Sequence, residues 1–315
     1  GEDKMSEIFL KILNNSITAS YLIIAVIILR FILKKAPKWS ICLLWAMVAI
    51  RLVMPFEIES SFSLIPDSKP IQLEDSKNTS LYPIEQSEKD ALWEQYIQNQ
   101  QNLNQQINQT GQQTSDYFRG ENGSEESYEL SLFHRDFMNE IVKVISWVWL
   151  AGSFGLAIYA VFSFLSLKQK IAASILLYDN VYLCDEINTP FVLGILKPCI
   201  YLSSKTPEEV WENILIHEKA HLKRGDHLWK ILGYVLLVIY WFNPLSWVAY
   251  FLFCKDLELA CDEKATKDMD KNQRADYCQA LLTCSMNRKK IDVCPVAFGE
   301  VGVKERIKQV LNYKK

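Results

Sequence analysis

Long runs of apolar residues separated by short polar segments dominate the first half of the chain. Residues 17–33 are nearly uncharged, residues 39–56 form a second run, and a third extends over residues 137–167. Each run is long enough to cross the ~30 Å hydrocarbon core of a bilayer as a helix. The first run lacks a small-residue cleavage site and a second span follows at once, unlike a signal peptide. The pattern predicts a mainly α-helical, polytopic membrane protein.

Basic residues at the ends of these runs predict the orientation of the chain. Lysines lie in the short loop at 34–38 and directly after the third run at 168–170. Because positive loops stay in the cytoplasm, we expect both on that side. The segment 57–136 has about three acidic side chains for each basic one. The N-terminus and residues 57–136 are therefore expected outside the cell, and everything after residue 168 on the cytoplasmic side.

The external segment carries little chemistry. Residues 95–113 are rich in Gln and Asn, which is typical of low complexity. Disorder is one interpretation, and an amphipathic helix through Leu92, Tyr96, Leu103 and Ile107 is the other. The eight cysteines form no C-x-x-C pair and fall mostly in the cytoplasmic half, so we expect no disulfides. The net charge of −3 says little about partners, and direct nucleic-acid binding is not expected.

A section of different character follows the third run. Residues 175–185 and 191–203 are rich in Val, Ile, Leu and Tyr, and Pro190, Gly194 and Pro198 interrupt them. These stretches predict short strands in a β-hairpin or small sheet. An edge strand there could hold an extended substrate, or the hairpin could be purely structural.

The pentapeptide His217-Glu218-Lys219-Ala220-His221 carries the clearest chemistry in the sequence. Thr206 as N-cap, with Pro207 and Glu209 after it, predicts a helix that ends at Gly225. On a helix the two imidazoles lie one turn apart and can bind one Zn²⁺. Glu218 can then act as general base on water bound to the zinc.

A third ligand is expected downstream, because catalytic zinc sites hold three protein ligands and an open position. Glu258 and Asp262 are spaced to share one helix face. We assign Glu258 as the ligand and Asp262 as the acceptor of a hydrogen bond from a ligand histidine. Both acids could instead form a solvated face. Cys261 between them is interpreted as a small buried residue.

A fourth apolar run, at residues 228–253, decides whether these ligands can meet. A straight helix of that length would extend about 39 Å and cross the bilayer. A single crossing would put His221 and Glu258 on opposite sides of the membrane. Asn243-Pro244 interrupts the run, and proline disfavours helix before it. We therefore predict a helical hairpin, shallowly inserted or packed on the other spans.

The sequence thus predicts four regions. Two membrane spans with a short cytoplasmic loop occupy 1–56, an external loop 57–136 and a third span 137–167. A cytoplasmic zinc protease domain follows at 168–315 and includes the membrane-associated hairpin 228–253.

Several motifs together resemble the membrane metallopeptidase part of the BlaR/MecR family of β-lactam sensor-transducers. They lie at 51–56 (RLVMPF), 190–202, 217–227 (HEKAHLKRGDH), 241–262 and 298–307. The resemblance implies a gluzincin-like zinc endopeptidase that inactivates a cytoplasmic transcriptional repressor and cuts its own chain. No S-x-x-K or K-T-G motif occurs, so the penicillin-binding sensor of that family is not expected in these residues.

Self-cleavage is expected in the basic segment Asn287-Arg288-Lys289-Lys290-Ile291, because Pro295 favours extended backbone before it. The segment could instead bind anionic lipid headgroups. Two other functions stay open: a housekeeping membrane protease of the CAAX-processing or heat-shock type, and a non-enzymatic membrane scaffold with structural zinc. Membrane lipid and the repressor are the expected partners, and a homodimer is left open.

Overall fold

The computed structural model of the chain describes four segments. They are residues 2–33, 36–54, 118–286 and 302–312, with side chains from residue 4 and, in the third segment, from residue 137. The chain divides into two compact units, residues 1–10 with 70–147 and residues 11–69 with 148–315. The predicted metal ligands and every contact discussed below belong to the second unit.

The described residues form eight α-helices and four short strands, confirming a mainly α-helical fold with a small sheet. In chain order they are α1 (Glu2–Ile32), α2 (Lys38–Val53), α3 (Phe118–Lys170), β1 (Ile175–Tyr178), β2 (Val181–Cys184), β3 (Phe191–Leu193), β4 (Cys199–Ser203), α4 (Trp211–Arg224), α5 (Asp226–Ile239), α6 (Pro244–Ala265), α7 (Lys271–Met286) and α8 (Val303–Asn312).

Two described helices are long and apolar enough to cross a membrane. They are Lys4–Ile32 within α1 and Phe137–Lys170 within α3. The most apolar stretch of the second is 6% buried, which in water would leave a large apolar surface exposed. Both helices are consistent with a membrane protein. The 16 residues of α2 extend about 24 Å, and the membrane crossing predicted for residues 39–56 stays a prediction.

Helix α3 begins earlier than the sequence predicts. Its backbone is helical from Phe118, within the predicted external loop 57–136. The proposed helix through Leu92 and Ile107 lies outside the described residues.

The apolar run 228–253 is broken, as Asn243-Pro244 predicts. Helix α5 ends at Ile239 and α6 begins at Pro244, with Asn243 accepting a hydrogen bond from the Leu245 amide at 2.9 Å as N-cap. The Asn243 side chain also donates to the hydroxyls of Ser16 and Ser20 on α1, both at 2.8 Å. A turn fixed in this way sends α6 back along α5.

The turn between α5 and α6 contacts the C-terminal end of α2. The Tyr240 hydroxyl donates to the Leu52 carbonyl at 2.9 Å. Trp149 and Trp241 donate their indole N–H groups to the carbonyls of Ile239 and Trp149, which ties α3 to the same turn. The hairpin therefore packs against α2, and its depth in a membrane stays a prediction.

The opposite end of α6 lies beside the basic α1–α2 loop. Arg30 near the end of α1 binds both oxygens of the Asp256 carboxylate at 2.8 and 2.9 Å, and the Trp45 indole donates to the same group at 2.9 Å. The backbone N–H of Lys38 donates to Glu263 at 2.8 Å. These contacts hold α6 beside the end of α1 and the start of α2, where lysines cluster in the sequence.

A mixed four-stranded sheet packs against α4. Its order is β1-β2-β4-β3, with β2 and β4 parallel and the outer pairs antiparallel. Val181, Ile200 and Leu202 on one face pack with Ile214 of α4 and with α7. Strand β3 lies at one edge and contacts α4.

The start of the HExxH helix differs from the prediction. A 3₁₀ turn at Glu208–Val210 precedes α4, and no side chain caps it. The buried Thr206 hydroxyl has no hydrogen-bond partner, and the Thr206 carbonyl instead accepts from the Trp211 indole at 3.0 Å. The predicted helix cap formed by Thr206 and Glu209 is therefore wrong. The predicted end is confirmed, because Gly225 has φ 68°, which glycine adopts without strain.

Candidate metal centre

Helix α4 brings His217, Glu218 and His221 into the interior of the domain. All three side chains are buried. The two Nε2 atoms lie 3.1 Å apart, and the ring planes are nearly perpendicular at 86°. Two imidazole nitrogens so close, away from water, need a shared proton or a cation between them.

Hydrogen bonds fix which nitrogen of each ring is free. His221 Nδ1 lies 2.7 Å from Asp226 Oδ2, an acceptor, so Nδ1 carries the proton. His217 Nδ1 lies 2.8 Å from the Tyr277 hydroxyl, which itself donates to Asp262 at 2.8 Å and therefore accepts from the ring. Each ring thereby keeps its Nε2 lone pair as the one that a metal ion could accept, although Arg306 Nη2 also lies 3.3 Å from His217 Nε2.

Glu258 completes a triangle with these nitrogens. Its Oε2 lies 3.4 Å from His217 Nε2 and 3.5 Å from His221 Nε2. Bonds of ~2.0–2.1 Å at tetrahedral angles put neighbouring zinc ligands ~3.3 Å apart. The three separations, 3.1, 3.4 and 3.5 Å, bracket that value, so these residues fit one tetrahedral zinc ion.

Cys261 is an alternative to Glu258 as the third metal ligand. His217, His221 and Cys261 form a buried group whose ligand atoms lie within 4.8 Å of one another and could hold a metal ion. The Cys261 Sγ lies 3.7 Å from His217 Nδ1 and donates to the His217 carbonyl at 3.3 Å. Cys261 is thus buried, as predicted, but it contacts the Nδ1 edge of His217.

Asp262 lies beside His217, where the sequence places it. Its Oδ1 is 3.3 Å from His217 Nδ1 and accepts the Tyr277 hydroxyl, so Tyr277 shares the contact with the ring. Arg306 on α8 donates to the two oxygens of Asp262, each at 2.7 Å. Burial raises the pKa of Asp262, but Arg306 outweighs it and holds the value at about 2.

The buried charges are tightly balanced without a cation. Burial lowers the pKa of His217, but Cys261, Tyr277 and Asp262 outweigh it and hold that pKa well above its ordinary value. Burial raises the pKa of Glu258, and Lys230 and His221 hold it well below its ordinary value. A divalent cation at the Nε2 atoms would compete with protons for these imidazoles, so metal binding is expected to depend on pH.

Several site residues are missed by reasoning from the sequence. Lys230 donates to Glu258 Oε1 at 2.9 Å, and Arg306 Nη2 lies 3.3 Å from His217 Nε2. Three of these residues could have been found from the sequence. Asp226 follows the glycine that ends α4, Lys230 is the single lysine or arginine of α5, and Arg306 lies in the tail motif. No sequence pattern indicates Tyr277. The basic segment Asn287 to Ile291 lies outside the described residues.

The chain is similar to two bacterial regulatory proteins and matches the model of a peptidase family. The chain is 24% identical over 203 residues to the methicillin resistance mecR1 protein of Staphylococcus aureus, an alignment that covers 56% of this chain and 34% of that protein. It is 28% identical over 160 residues to the regulatory protein BlaR1 of Bacillus licheniformis, covering 48% of this chain and 26% of that protein. The chain thus spans about a third or less of the length of these relatives. A family model described as BlaR1 peptidase M56 matches residues 10–311, and the chain therefore belongs to this metallopeptidase family.

Proposed function

We propose that the chain is a membrane-bound zinc endopeptidase of signal transduction that cleaves a cytoplasmic transcriptional repressor. The triangle of His217 Nε2, His221 Nε2 and Glu258 Oε2 carries this proposal, because its dimensions suit one tetrahedral ion with a fourth position for water. The peptidase family and the buried histidine pair support zinc chemistry. The repressor is proposed by similarity to the methicillin-resistance and BlaR1 regulators.

Glu258 is a better third ligand than Cys261. Its Oε2 lies within 3.5 Å of both Nε2 atoms, the nitrogens that are not bonded to Tyr277 or Asp226. The Cys261 Sγ lies 3.7 Å from His217 Nδ1, a nitrogen already bonded to the Tyr277 hydroxyl. We therefore assign Cys261 to the packing around His217. A structural zinc would instead recruit Cys261 and close the site, leaving no place for a reacting water.

Glu218 is the proposed general base. It follows His217 directly and is buried with it. Zinc, when bound, supplies the Lewis acidity that lets water lose a proton near neutral pH. Glu218 takes that proton as the water attacks the scissile carbonyl and passes it to the leaving amine. Asp262 and Asp226 orient the imidazoles, acting through Tyr277 and directly.

Strand β3 is proposed to hold the substrate. It is an edge strand and contacts α4, which carries Glu218. An extended peptide that pairs with an edge strand is bound through its backbone, so many sequences fit. That arrangement suits a protease that cuts both a repressor and its own chain.

The proposed self-cleavage segment connects two elements of the site. Helix α7, which carries Tyr277, ends at Met286, and α8, which carries Arg306, begins at Val303. The chain between them, including Asn287 to Ile291, is joined at both ends to helices that contribute side chains to the candidate metal centre. Tethering raises effective concentration to about millimolar, so slow intramolecular cleavage is expected.

The orientation of the site follows from α6 and stays a proposal. Arg30 and Lys38 hold the Glu258 end of α6 at the basic loop between α1 and α2. If positive loops stay inside, the metal centre is cytoplasmic and can reach a cytoplasmic repressor.

Incubation of the purified chain with zinc tests the proposed activity. We expect a new N-terminus between residues 287 and 296, absent in Glu218→Ala and after chelation. Cys261→Ser should keep one zinc and the cleavage. Fragments of equal yield in Glu218→Ala would reveal a contaminating protease, and loss of zinc in Cys261→Ser with zinc retained in Glu258→Gln would favour the structural site.

A further inference from the structure

Lys230 is a buried cation in an otherwise apolar helix. Helix α5 reads DHLWKILGYVLLVI, and Lys230 is its single lysine or arginine. The side chain is 14% exposed, and its Nζ lies 2.9 Å from Glu258 Oε1. Burying a lysine is costly unless it is paired, so this position is defined by its partner.

The two oxygens of Glu258 have different neighbours. Oε1 accepts the hydrogen bond from Lys230, whereas Oε2 lies within 3.5 Å of both imidazole Nε2 atoms. A carboxylate ligand can bind a metal through one oxygen or through both. With Oε1 hydrogen-bonded to an ammonium group, Oε2 is the oxygen placed to bind a metal.

Arg306 does not duplicate this role. Its Nε and Nη2 bind the carboxylate of Asp262 at 2.7 Å. Its approach to Glu258 is an Nη1–Oε2 separation of 3.5 Å, longer than a good charge-assisted hydrogen bond. Lys230 thus makes the short cationic contact with Oε1, whereas Arg306 approaches Oε2.

We propose that Lys230 is a positioning residue of the metal centre, which keeps Glu258 as a one-oxygen ligand and so preserves the fourth coordination position for water. The inference rests on the proposed function. Without the ammonium, Oε1 is free to turn toward the metal, and a chelating carboxylate would crowd the position that the reacting water needs. The ammonium also withdraws electron density from the ligand, which strengthens the Lewis acidity of the ion.

Cobalt substitution of the full chain tests this role directly. Four-coordinate Co²⁺ absorbs visible light more strongly than five-coordinate Co²⁺, so the spectrum reports the coordination number. Lys230→Met should still bind one Co²⁺ but absorb more weakly, and its zinc form should lose about 10–100-fold in kcat with little change in KM for a peptide spanning residues 284–298. Lys230→Arg should restore the strong spectrum and most of kcat. Lys264→Met, which removes an exposed lysine from α6, is the matched control and should equal the parent.

Lys230→Gln serves if the Met variant does not fold, because its amide can still donate to Oε1 without a charge. We expect the strong cobalt spectrum with a reduced kcat. A Lys230→Met or Lys230→Gln protein with parental spectrum and parental kcat, changed only in melting temperature, would overturn the proposal. A parent that binds no metal, or an active parent whose metal survives Glu258→Gln, would instead count against the proposed function.

Discussion

Arg306 binds both oxygens of Asp262 at 2.7 Å, although the two residues are 44 positions apart in the chain. Neither side chain is more than 2% exposed. The pair joins the C-terminal helix α8 to α6, and through Tyr277 it reaches His217. The last described helix is therefore part of the metal centre, and its attachment should control both stability and metal binding.

Removing one partner of this pair should destabilise the protein strongly. Arg306→Met leaves the Asp262 carboxylate buried without its main counter-charge, which typically costs about 3–5 kcal/mol. Unfolding of the purified protein in detergent, followed by urea titration, measures the loss. Lys304→Met on the exposed side of α8 is the control and should change stability by less than about 0.5 kcal/mol. Equal losses in the two variants would contradict the assigned pair.

The acid stability of the metal-free protein should report Asp262. Arg306 outweighs burial and holds the pKa of Asp262 at about 2, below its ordinary 3.8. A depressed pKa contributes stability that is complete above pH 3.8 and lost as the pH falls through 2. The ionised carboxylate contributes about 2 kcal/mol.

The stability difference between parent and Asp262→Asn should therefore shrink by that amount from pH 5 to pH 2. The pKa values of His217 and His221 lie well above this range, so titration of these two groups does not interfere. A difference that stays constant over the range would show that the pKa of Asp262 is not depressed.

Gly152 should be intolerant of any side chain, whereas Gly155 on the same helix should accept one. A Cβ at Gly152 would lie 2.2 Å from the ring of Trp241, and that ring is held by its hydrogen bond to the Trp149 carbonyl. Gly152→Ala should cost about 1–3 kcal/mol through overpacking. A Cβ at Gly155 meets nothing within 4 Å, so Gly155→Ala should be neutral or stabilising through helix propensity. Thermal unfolding of the two variants side by side gives the comparison, and equal melting temperatures would refute the close packing of α3 on the hairpin turn.

Much of this architecture follows from local sequence patterns. Asn243 and Pro244 predict the break between α5 and α6, because each acts on the backbone of its immediate neighbours. Gly225 predicts the end of α4 in the same way. Thr206 fails because a competing 3₁₀ turn starts at Glu208, which removes the hydroxyl from the helix end. Local helix propensity cannot choose between two possible helix starts when tertiary contacts decide which one forms.

The partners of the metal ligands are less predictable. Glu258 and Asp262 lie four residues apart on one helix, so the sequence alone predicts that both side chains share one face. Tyr277 and Arg306 come from helices whose packing no local pattern encodes. Lys230 looks anomalous in an apolar helix, but its meaning depends on Glu258 lying opposite, which requires the hairpin to form first.

The membrane orientation can be read from thiol labelling of intact cells. Single cysteines near Gln105 should react with an impermeant reagent added outside, because the acidic segment is expected there. Cysteines at Lys223 and Lys267 should both be protected until the cells are permeabilised, since Gly225 and Ala265 are the ends of a hairpin that returns to one side. Protection at Lys223 with labelling at Lys267 would mean a single crossing by residues 228–253 and would end the shared-metal proposal.

Zinc content measured together with peptide cleavage tests the central claim most directly. The parent and Glu218→Ala should each hold one zinc per chain, and only the parent should cleave a peptide spanning residues 284–298. Glu258→Gln should lose about 10-fold or more in zinc affinity and lose cleavage with it, because a neutral amide is a poor ligand in place of a carboxylate. Full zinc occupancy and intact cleavage in Glu258→Gln, or undiminished cleavage in Glu218→Ala, would contradict the account.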